Sequence, residues 1–306
     1  MKTASKTTVV AEGLILTVIT TIIWSIVPVC IKVILRALDP FTIALTRFVL
    51  ATVVVWLVLQ KREARRLNAG DKFWIVLGGA GMAGNYNIYN IALQHTTASA
   101  ANLVVQIEMV GLIILSRLIL KEKLGTWKII GILVTMAGIT IVFSGNGYLG
   151  DITKAEYMLG NAIIMIAGIS WSFYGLAQKM LANRHIPTTQ GLVGIFGVAA
   201  IFSIGPTLAF HESRGHITPL MIACLIIISV FSTGIGYLLL GKAFRLLDAS
   251  TVVATSSLLP IFTIISARIL ISELLTVNLL IGALLVVGGI LTIAKQDTRY
   301  GPESNA

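Results

Sequence analysis

Two ionisable side chains lie inside long apolar stretches of the sequence, where a charge needs a partner or water. At 1.5 Å of helical rise per residue, Glu108 lies about 15 Å into a stretch of about 98–120, and Arg47 lies about 9 Å into a stretch of about 41–60. A charge at the centre of a membrane helix costs about 2.5–3.5 kcal/mol on insertion scales. Two interpretations stay open. Glu108 binds a solute amine or a coupling proton in a cavity, or it forms an ion pair with Arg47, which could be structural or serve coupling.

A third apolar stretch, at about 73–93, is rich in amides and phenols. Its polar residues are Asn85, Tyr86, Asn87, Tyr89, Asn90 and Gln94. At helical spacing Tyr86 and Asn90 share one face. Amides in membrane helices often only join neighbouring helices, at about 0.6 kcal/mol each, but six such groups exceed that need. We therefore expect Tyr86 and Asn90 to line a polar cavity.

The fourth stretch has polar groups on two sides. Ser99, Asn102 and Gln106 share one helical face, whereas Glu108 lies about 200° around the helix from Gln106. Such a helix has no broad face for lipid, so we expect it in the protein interior. Asn102, Gln106 and Glu108 are candidate substrate-binding residues, and the face that lines the cavity stays open.

Composition identifies the elements that must hold these residues. Of 306 residues, 56% are hydrophobic and 12% are charged, whereas soluble domains carry about 25% charged residues. This excludes a water-soluble globule, and ten apolar stretches of about 18–24 residues can each cross a hydrocarbon core of about 30 Å as a helix. They lie at about 13–35, 41–60, 73–93, 98–120, 127–144, 158–181, 188–210, 218–240, 249–271 and 275–294.

The loops between these stretches are short and unevenly charged. At roughly 4–17 residues they are too short for a soluble catalytic or nucleic-acid-binding domain. The net charge is +10, and with the N-terminus inside, about three in four basic residues fall on the cytoplasmic side. We therefore expect a multi-pass protein of a bacterial-type inner membrane with both termini cytoplasmic, embedded in lipid and without a nucleic-acid partner.

The second half of the sequence repeats the first at offsets of 147 and then 151 residues. The matched pairs include Trp24 and Trp171, Lys32 and Lys179, Pro40 and Pro187, Tyr86 and Tyr237, Glu122 and Glu273, Gly131 and Gly282, and Gly138 and Gly289. Each half contains five stretches, an odd number, so the second copy is inverted. Inverted repeats place a transporter's substrate site at their interface.

These motifs together resemble the EamA repeat of the drug/metabolite transporter superfamily. The resemblance rests on a Trp-Ser pair followed by a helix breaker and Lys in the first stretch, and on Asp39 and Pro40 before an Arg-bearing second stretch. It also rests on the run 92–99 leading into the fourth stretch, and on a Glu followed nine residues later by Gly in each half.

The resemblance covers about residues 14–144 and 159–294. It implies an all-α integral membrane protein with ten transmembrane helices, built as two inverted five-helix EamA repeats around a central cavity. It also implies transport of small polar metabolites, in many bacterial members as export. One position departs from the family: the fourth stretch has Met109 where members often have Pro, although the second copy keeps Pro260.

Helix breakers at equivalent points of two repeats point to a transporter's binding site. Pro28 aligns with Gly175, and Pro260 is a third candidate breaker; simple kinking or close packing is the alternative. Trp24 and Trp171 lie about one turn from the first two breakers. The candidate substrate site comprises Trp24, Tyr86, Asn90, Asn102, Gln106, Glu108, Trp171, Tyr174 and Tyr237.

Enzyme signatures are incomplete in this sequence. His211 and His216 are one position too far apart for a helical HExxH zinc site, and residues 168–172 lack the last Gly of a nucleophile elbow. A Walker A motif is missing, and Cys30 and Cys224 lie in apolar stretches without paired spacing. We therefore expect no catalysis, metal, cofactor or disulfide.

The expected function is movement of a small polar solute by alternating access, with a proton as a candidate coupling ion. Aromatic and amide residues suit an amino acid or a related compound, and the resemblance favours export. Two alternatives remain: a transporter of a vitamin or nucleoside-like solute, and a receptor or accessory membrane subunit with no solute pathway. The oligomeric state does not follow from the sequence.

Overall fold

The computed structural model describes residues 6–59, 64–121, 125–145, 153–212, 214–247 and 249–299. Every regular element in these ranges is a helix. Glu122, which the repeat matching pairs with Glu273, lies outside the described ranges.

Ten helical spans follow one another along the chain, as the sequence predicts. The first repeat contains α1 (Lys6–Ile34), α2 (Pro40–Leu59), α3 (Ala69–Ala92), α4 (Ala98–Val104 and Ile107–Ile119) and α5 (Thr126–Ser144). The second contains α6 (Lys154–Asn183), α7 (Thr188–Phe210), α8 (Pro219–Ile226, Ile227–Gly236 and Tyr237–Leu246), α9 (Ala249–Ser256 and Leu259–Ile271) and α10 (Val277–Arg299). The predicted fold class is confirmed.

Eight of these spans are long and apolar enough to cross a membrane. The other two are α3, which carries five of the six polar residues, and α9, whose longer half, Leu259–Ile271, has 13 residues. In α3 the polar side chains interrupt the apolar pattern.

Capping residues fix where several spans begin. The Asn68 side chain accepts a hydrogen bond from the Asp71 amide, and the Asp71 carboxylate accepts one from the Asn68 amide. Thr153 and Glu156 form the same reciprocal cap on α6, and Thr97 caps α4. Replacing such a cap typically costs about 1 kcal/mol. These caps set the ends of α3, α4 and α6.

Pro28 and Gly175 do not break their helices, which corrects the interpretation from sequence. Both α1 and α6 run through these residues without interruption. Proline is tolerated inside a membrane helix, and in the turn before Pro28 the Ser266 hydroxyl of α9 donates to the Ser25 carbonyl at 3.2 Å. A Cβ at Gly175 would lie 3.2 Å from Leu112, so this glycine lets α4 approach α6.

The spans that do break are α4 and α9, at equivalent points of the two repeats. The helix in α4 stops at Val105 and Gln106, and that in α9 stops at Ser257 and Leu258. Pro260 lies in the first turn after the second break, as expected for a breaker. Because α4 breaks with Met109 in the proline position, the interruption does not depend on proline.

The two repeats are interleaved. The closest helix pairs are α3 with α6, α2 with α7 and α5 with α10, and each pair takes one helix from each repeat. A second set of contacts packs α1 on α8 and on the second half of α9, and packs the second half of α4 on α6. The centre of the molecule is therefore lined by both repeats.

Glycines set the distance between α5 and α10. A Cβ at Gly131 would lie 2.7 Å from the Gly289 carbonyl oxygen, and one at Gly138 would lie 2.8 Å from the Gly282 carbonyl oxygen. The backbones approach too closely for any side chain at these positions. We call these four residues, Gly131, Gly138, Gly282 and Gly289, the glycine seam.

Candidate functional site

Aromatic rings from both repeats meet at the centre of the molecule. The ring of Tyr237 lies 5.0 Å from Trp24, 5.7 Å from Tyr174 and 5.6 Å from Phe196, between ring centroids. Tyr174 in turn lies 5.3 Å from Trp171. With the pair Phe48 and Tyr86, at 4.7 Å, these form the aromatic cluster: Trp24, Phe48, Tyr86, Trp171, Tyr174, Phe196 and Tyr237.

Polar edges of the rings are joined within the cluster. The Tyr237 hydroxyl donates to the Met82 sulfur at 4.0 Å and interacts electrostatically with Tyr86. The Trp24 indole nitrogen donates to the Ser232 carbonyl of α8 at 3.1 Å, and a Cβ at Gly236 would lie 2.9 Å from that nitrogen. The repeat mates Tyr86 and Tyr237 therefore meet near the centre.

Arg47 lies against this cluster without an acidic partner. Its side chain is 4% exposed, and its guanidinium carbon lies 4.1 Å above the centre of the Tyr86 ring. Nε and Nη2 both donate to the Thr233 hydroxyl, at 3.3 and 3.1 Å. Among the described residues, no carboxylate forms an ion pair with Arg47.

Thr233 reaches Arg47 because α8 is locally a π-helix. The π-helical part runs over Ile227–Gly236, and the Thr233 hydroxyl donates to the Ile228 carbonyl five residues earlier, at 2.8 Å. Such wider turns are rare in proteins and occur frequently at functional sites. The repeat mate of α8 is α3, which is an ordinary α-helix through the equivalent residues.

Glu108 occupies the first turn after the break in α4. Its side chain is half-buried, and its backbone carbonyl accepts a hydrogen bond from Ser172 of α6 at 2.9 Å. Carboxylates are favoured at helix N-termini by the helix dipole. The side chain interacts electrostatically with Tyr89 and with Tyr174 of the aromatic cluster.

The structure does not join Glu108 and Arg47 in an ion pair. In the part of the chain that is described, no salt bridge connects them. The reason is the packing: the backbone at Glu108 faces α6 through Ser172, whereas the Arg47 guanidinium faces α8 and α3. Tyr89 interacts electrostatically with both charges, so they belong to one region while remaining unpaired with each other.

Three amides predicted for the site lie mainly in helix packing. Asn90 is fully buried and donates to the Pro40 carbonyl at 2.9 Å, tying α3 to the start of α2. Gln106 donates to the Asn102 carbonyl at 3.4 Å at the break in α4. The side-chain oxygens of Asn90 and Asn102 are buried without a partner among the described residues.

Several residues of the site are not apparent from sequence. Phe48 and Phe196 look like ordinary apolar residues, and Thr233 depends on the π-helix, for which the sequence gives no signal. The repeat matching of Glu122 with Glu273 does point to Glu273, a fully buried carboxylate. In the described residues no group of three or more His, Cys, Asp and Glu side chains could hold a metal.

A second polar cluster lies at one end of the membrane region. The Asp39 carboxylate accepts hydrogen bonds from the backbone amides of Phe41 and Thr42, from the Thr42 hydroxyl and from His211. Burial acts to raise the pKa of Asp39, but the hydrogen bonds from Thr42 and Phe41 outweigh it and hold that pKa below its ordinary value. This cluster ties the loop before α2 to the loop after α7.

Ten interleaved spans with a polar and aromatic centre define a polytopic membrane transporter. The chain belongs to the EamA-like transporter family, whose model matches residues 11–144 and 158–295.

The relatives with curated names are transporters without an assigned solute. The uncharacterized inner membrane transporter YhbE of Escherichia coli (strain K12) is 29% identical over 82% of this chain and 79% of its own length. An uncharacterized transporter of Haemophilus influenzae is 27% identical over 84% of this chain and 83% of that protein. A crystal structure described only as that of a protein matches with a TM-score of 0.69 and 19% identity, over 94% of this chain and 98% of that one. This last likeness concerns the fold alone.

Proposed function

We propose that this chain is a secondary transporter of the inner membrane that exports a small polar metabolite, an amino acid or a related compound, by alternating access. The observation that carries the proposal is the aromatic cluster together with the unpaired charges Arg47 and Glu108. Its rings come from α1, α2, α3, α6, α7 and α8, so both repeats contribute. A site shared by two repeats can be exposed alternately on either side of the membrane.

The chemistry of the site suits an amphipathic solute. Trp24, Trp171 and Glu108 keep part of their surface accessible, as groups that line a solute path must. The rings would pack on the apolar part of the solute, while Glu108 would bind its amine or carry a coupling proton. Intramembrane carboxylates are common elements of proton relays in pumps and transporters.

The proposed architecture assigns residues 14–144 and 159–294 to the two repeats. Both termini lie in the cytoplasm in this proposal, because the basic loops around Arg65 and Lys128 require that side. The name of the Escherichia coli relative supports an inner membrane location.

Uptake by proteoliposomes tests the proposal. Purified protein should move labelled amino acids, and a pH gradient should change the rate if a proton is coupled. Trp171→Ala should remove most of the activity, because the ring belongs to the aromatic cluster. Trp56→Ala is the matched control, since Trp56 is 47% exposed on the outer face of α2.

The outcome separates this function from its alternatives. If the protein moves vitamins or nucleosides and not amino acids, the proposed solute class is wrong but the proposed transport mechanism stands. Saturable solute binding without movement in liposomes would indicate a receptor or accessory subunit, and would overturn the proposal.

A further inference from the structure

We infer that Arg47 is the binding site for a carboxylate on the transported solute. This inference rests on the proposed transport function and names the anionic end of the solute. The observations behind it are the burial of the guanidinium, the absence of an acidic partner among the described residues and the ring placed beneath it.

The charge of Arg47 is only partly compensated by the protein. Its side chain is 4% exposed, and its contacts are the Thr233 hydroxyl and the Tyr86 ring. A hydroxyl and a ring face attract a cation, but neither carries a negative charge. Burying a cation without a counter-charge is costly, and proteins normally pair it. The structure therefore leaves one negative charge to be supplied from outside.

The hydrogen bonds of Arg47 use two of its three guanidinium nitrogens. Nε and Nη2 share the Thr233 hydroxyl, whereas Nη1 has no hydrogen-bond partner in the described part of the chain. Both nitrogens of the Nη1–Nη2 edge can donate to two oxygens of one planar anion. The Thr233 hydroxyl donates to Ile228, which holds its oxygen toward Arg47 as an acceptor.

The charge balance selects a carboxylate over a phosphate. One guanidinium provides a single positive charge, which matches a carboxylate. Glu108 lies in the same region, since Tyr89 interacts with both Glu108 and Arg47. The Glu108 carboxyl group favours a solute that carries a cationic group beside its carboxylate.

A set of related probes tests this assignment by titrating the fluorescence of purified protein, because Trp24 and Trp171 belong to the aromatic cluster. Phenylalanine has a carboxylate and an amine, 3-phenylpropionate has only the carboxylate, and phenethylamine has only the amine. Arg47→Met should weaken the binding of phenylalanine and of 3-phenylpropionate by about 10- to 100-fold. The same substitution should leave the affinity for phenethylamine unchanged.

Two variants control the experiment. Arg47→Lys keeps the charge and loses the planar fork, so it should bind carboxylates with intermediate affinity. Arg117→Met removes an exposed basic residue of α4 and should bind all three probes as the wild type does. If the Arg47→Met variant fails to fold, the affinities of the wild type for phenylalanine and phenylalaninamide still test the assignment, because phenylalaninamide lacks the anionic oxygen.

The inference is overturned if no carboxylate probe binds, if phenylalaninamide binds as well as phenylalanine, or if a folded Arg47→Met variant keeps wild-type carboxylate affinity. Its failure is distinct from failure of the transport proposal. If carboxylate binding depends on Arg47 but no solute moves in liposomes, only the transport proposal fails. If Arg47→Met leaves transport unchanged, only the proposed carboxylate site is withdrawn.

Discussion

The carboxylate of Glu273 accepts hydrogen bonds from the backbone amides of Ala98, at 2.9 Å, and of Ser99, at 3.0 Å. Glu273 belongs to the loop between α9 and α10, and the two amides open the first turn of α4. A residue of the second repeat thus caps a broken helix of the first. The amides at a helix start attract a carboxylate through both hydrogen bonding and the helix dipole.

Glu273→Gln should destabilise the protein by about 1.5–3 kcal/mol, because glutamine keeps one acceptor oxygen and loses the charge. Thermal unfolding in detergent measures the change. Glu156→Gln is the control, since Glu156 caps α6 at an exposed position and should have a smaller effect. Equal effects of the two substitutions would show that burial of Glu273 does not increase its contribution to stability.

A double-mutant cycle of Glu108→Gln with Arg47→Met should show little coupling in stability. The two side chains form no ion pair, so their coupling free energy should stay below about 0.5 kcal/mol. Solute uptake should be lost in Glu108→Gln, with or without the second substitution. Recovery of uptake in the double variant would show that the carboxylate has a structural role.

Asp39→Asn should lower stability at neutral pH but not in acid. The pKa of Asp39 is held below its ordinary value, so its stabilising effect is complete above about pH 4 and disappears as the pH falls through the folded-state pKa. Melting temperatures of the wild type and variant should therefore converge in acid. Glu212→Gln, at an exposed neighbour, should show no such convergence; a constant difference for Asp39→Asn at every pH would contradict the linkage.

Gly289→Ala and Gly288→Ala should act in opposite directions although they are neighbours on α10. A Cβ at Gly289 would lie 2.7 Å from the Gly131 carbonyl oxygen, whereas one at Gly288 would meet nothing within 4 Å. The first should lower the melting temperature by forcing α5 and α10 apart. The second should be neutral or stabilising by up to about 1 kcal/mol. Equal tolerance of both would remove the close packing of the glycine seam.

Membrane-impermeant thiol labelling should find Arg66→Cys cytoplasmic and His216→Cys external, each in a background without the two native cysteines. Both positions are exposed in the structure. The expectation follows from the excess of basic residues in the loop between α2 and α3. Labelling of both positions from one side would contradict the inverted arrangement of the repeats.

The sequence predicted all ten spans, and length and apolar composition alone account for eight of them. Repeat matching also found Tyr86 and Tyr237, which meet in the structure. It could not locate the break in α4, because the helix stops at Gln106 without proline or glycine.

Pro28 failed as a breaker for a related reason. A proline predicts a missing hydrogen bond, but whether the helix continues depends on the packing of other spans around it. Thr233 was missed because a π-helix changes which residues share a face, and helical spacing assumes ordinary turns. Features that arise from local composition were predictable, whereas those that arise from contacts between spans were not.

The glycine seam has the symmetry of an isologous dimer. Gly131 packs against Gly289, which is the repeat mate of Gly138. In the same way, Gly138 packs against Gly282, which is the repeat mate of Gly131. In a homodimer such reciprocity makes one surface patch complementary to its own copy. One five-helix unit therefore carries both glycine positions of this contact. A second copy of that unit in the opposite orientation meets a complementary surface.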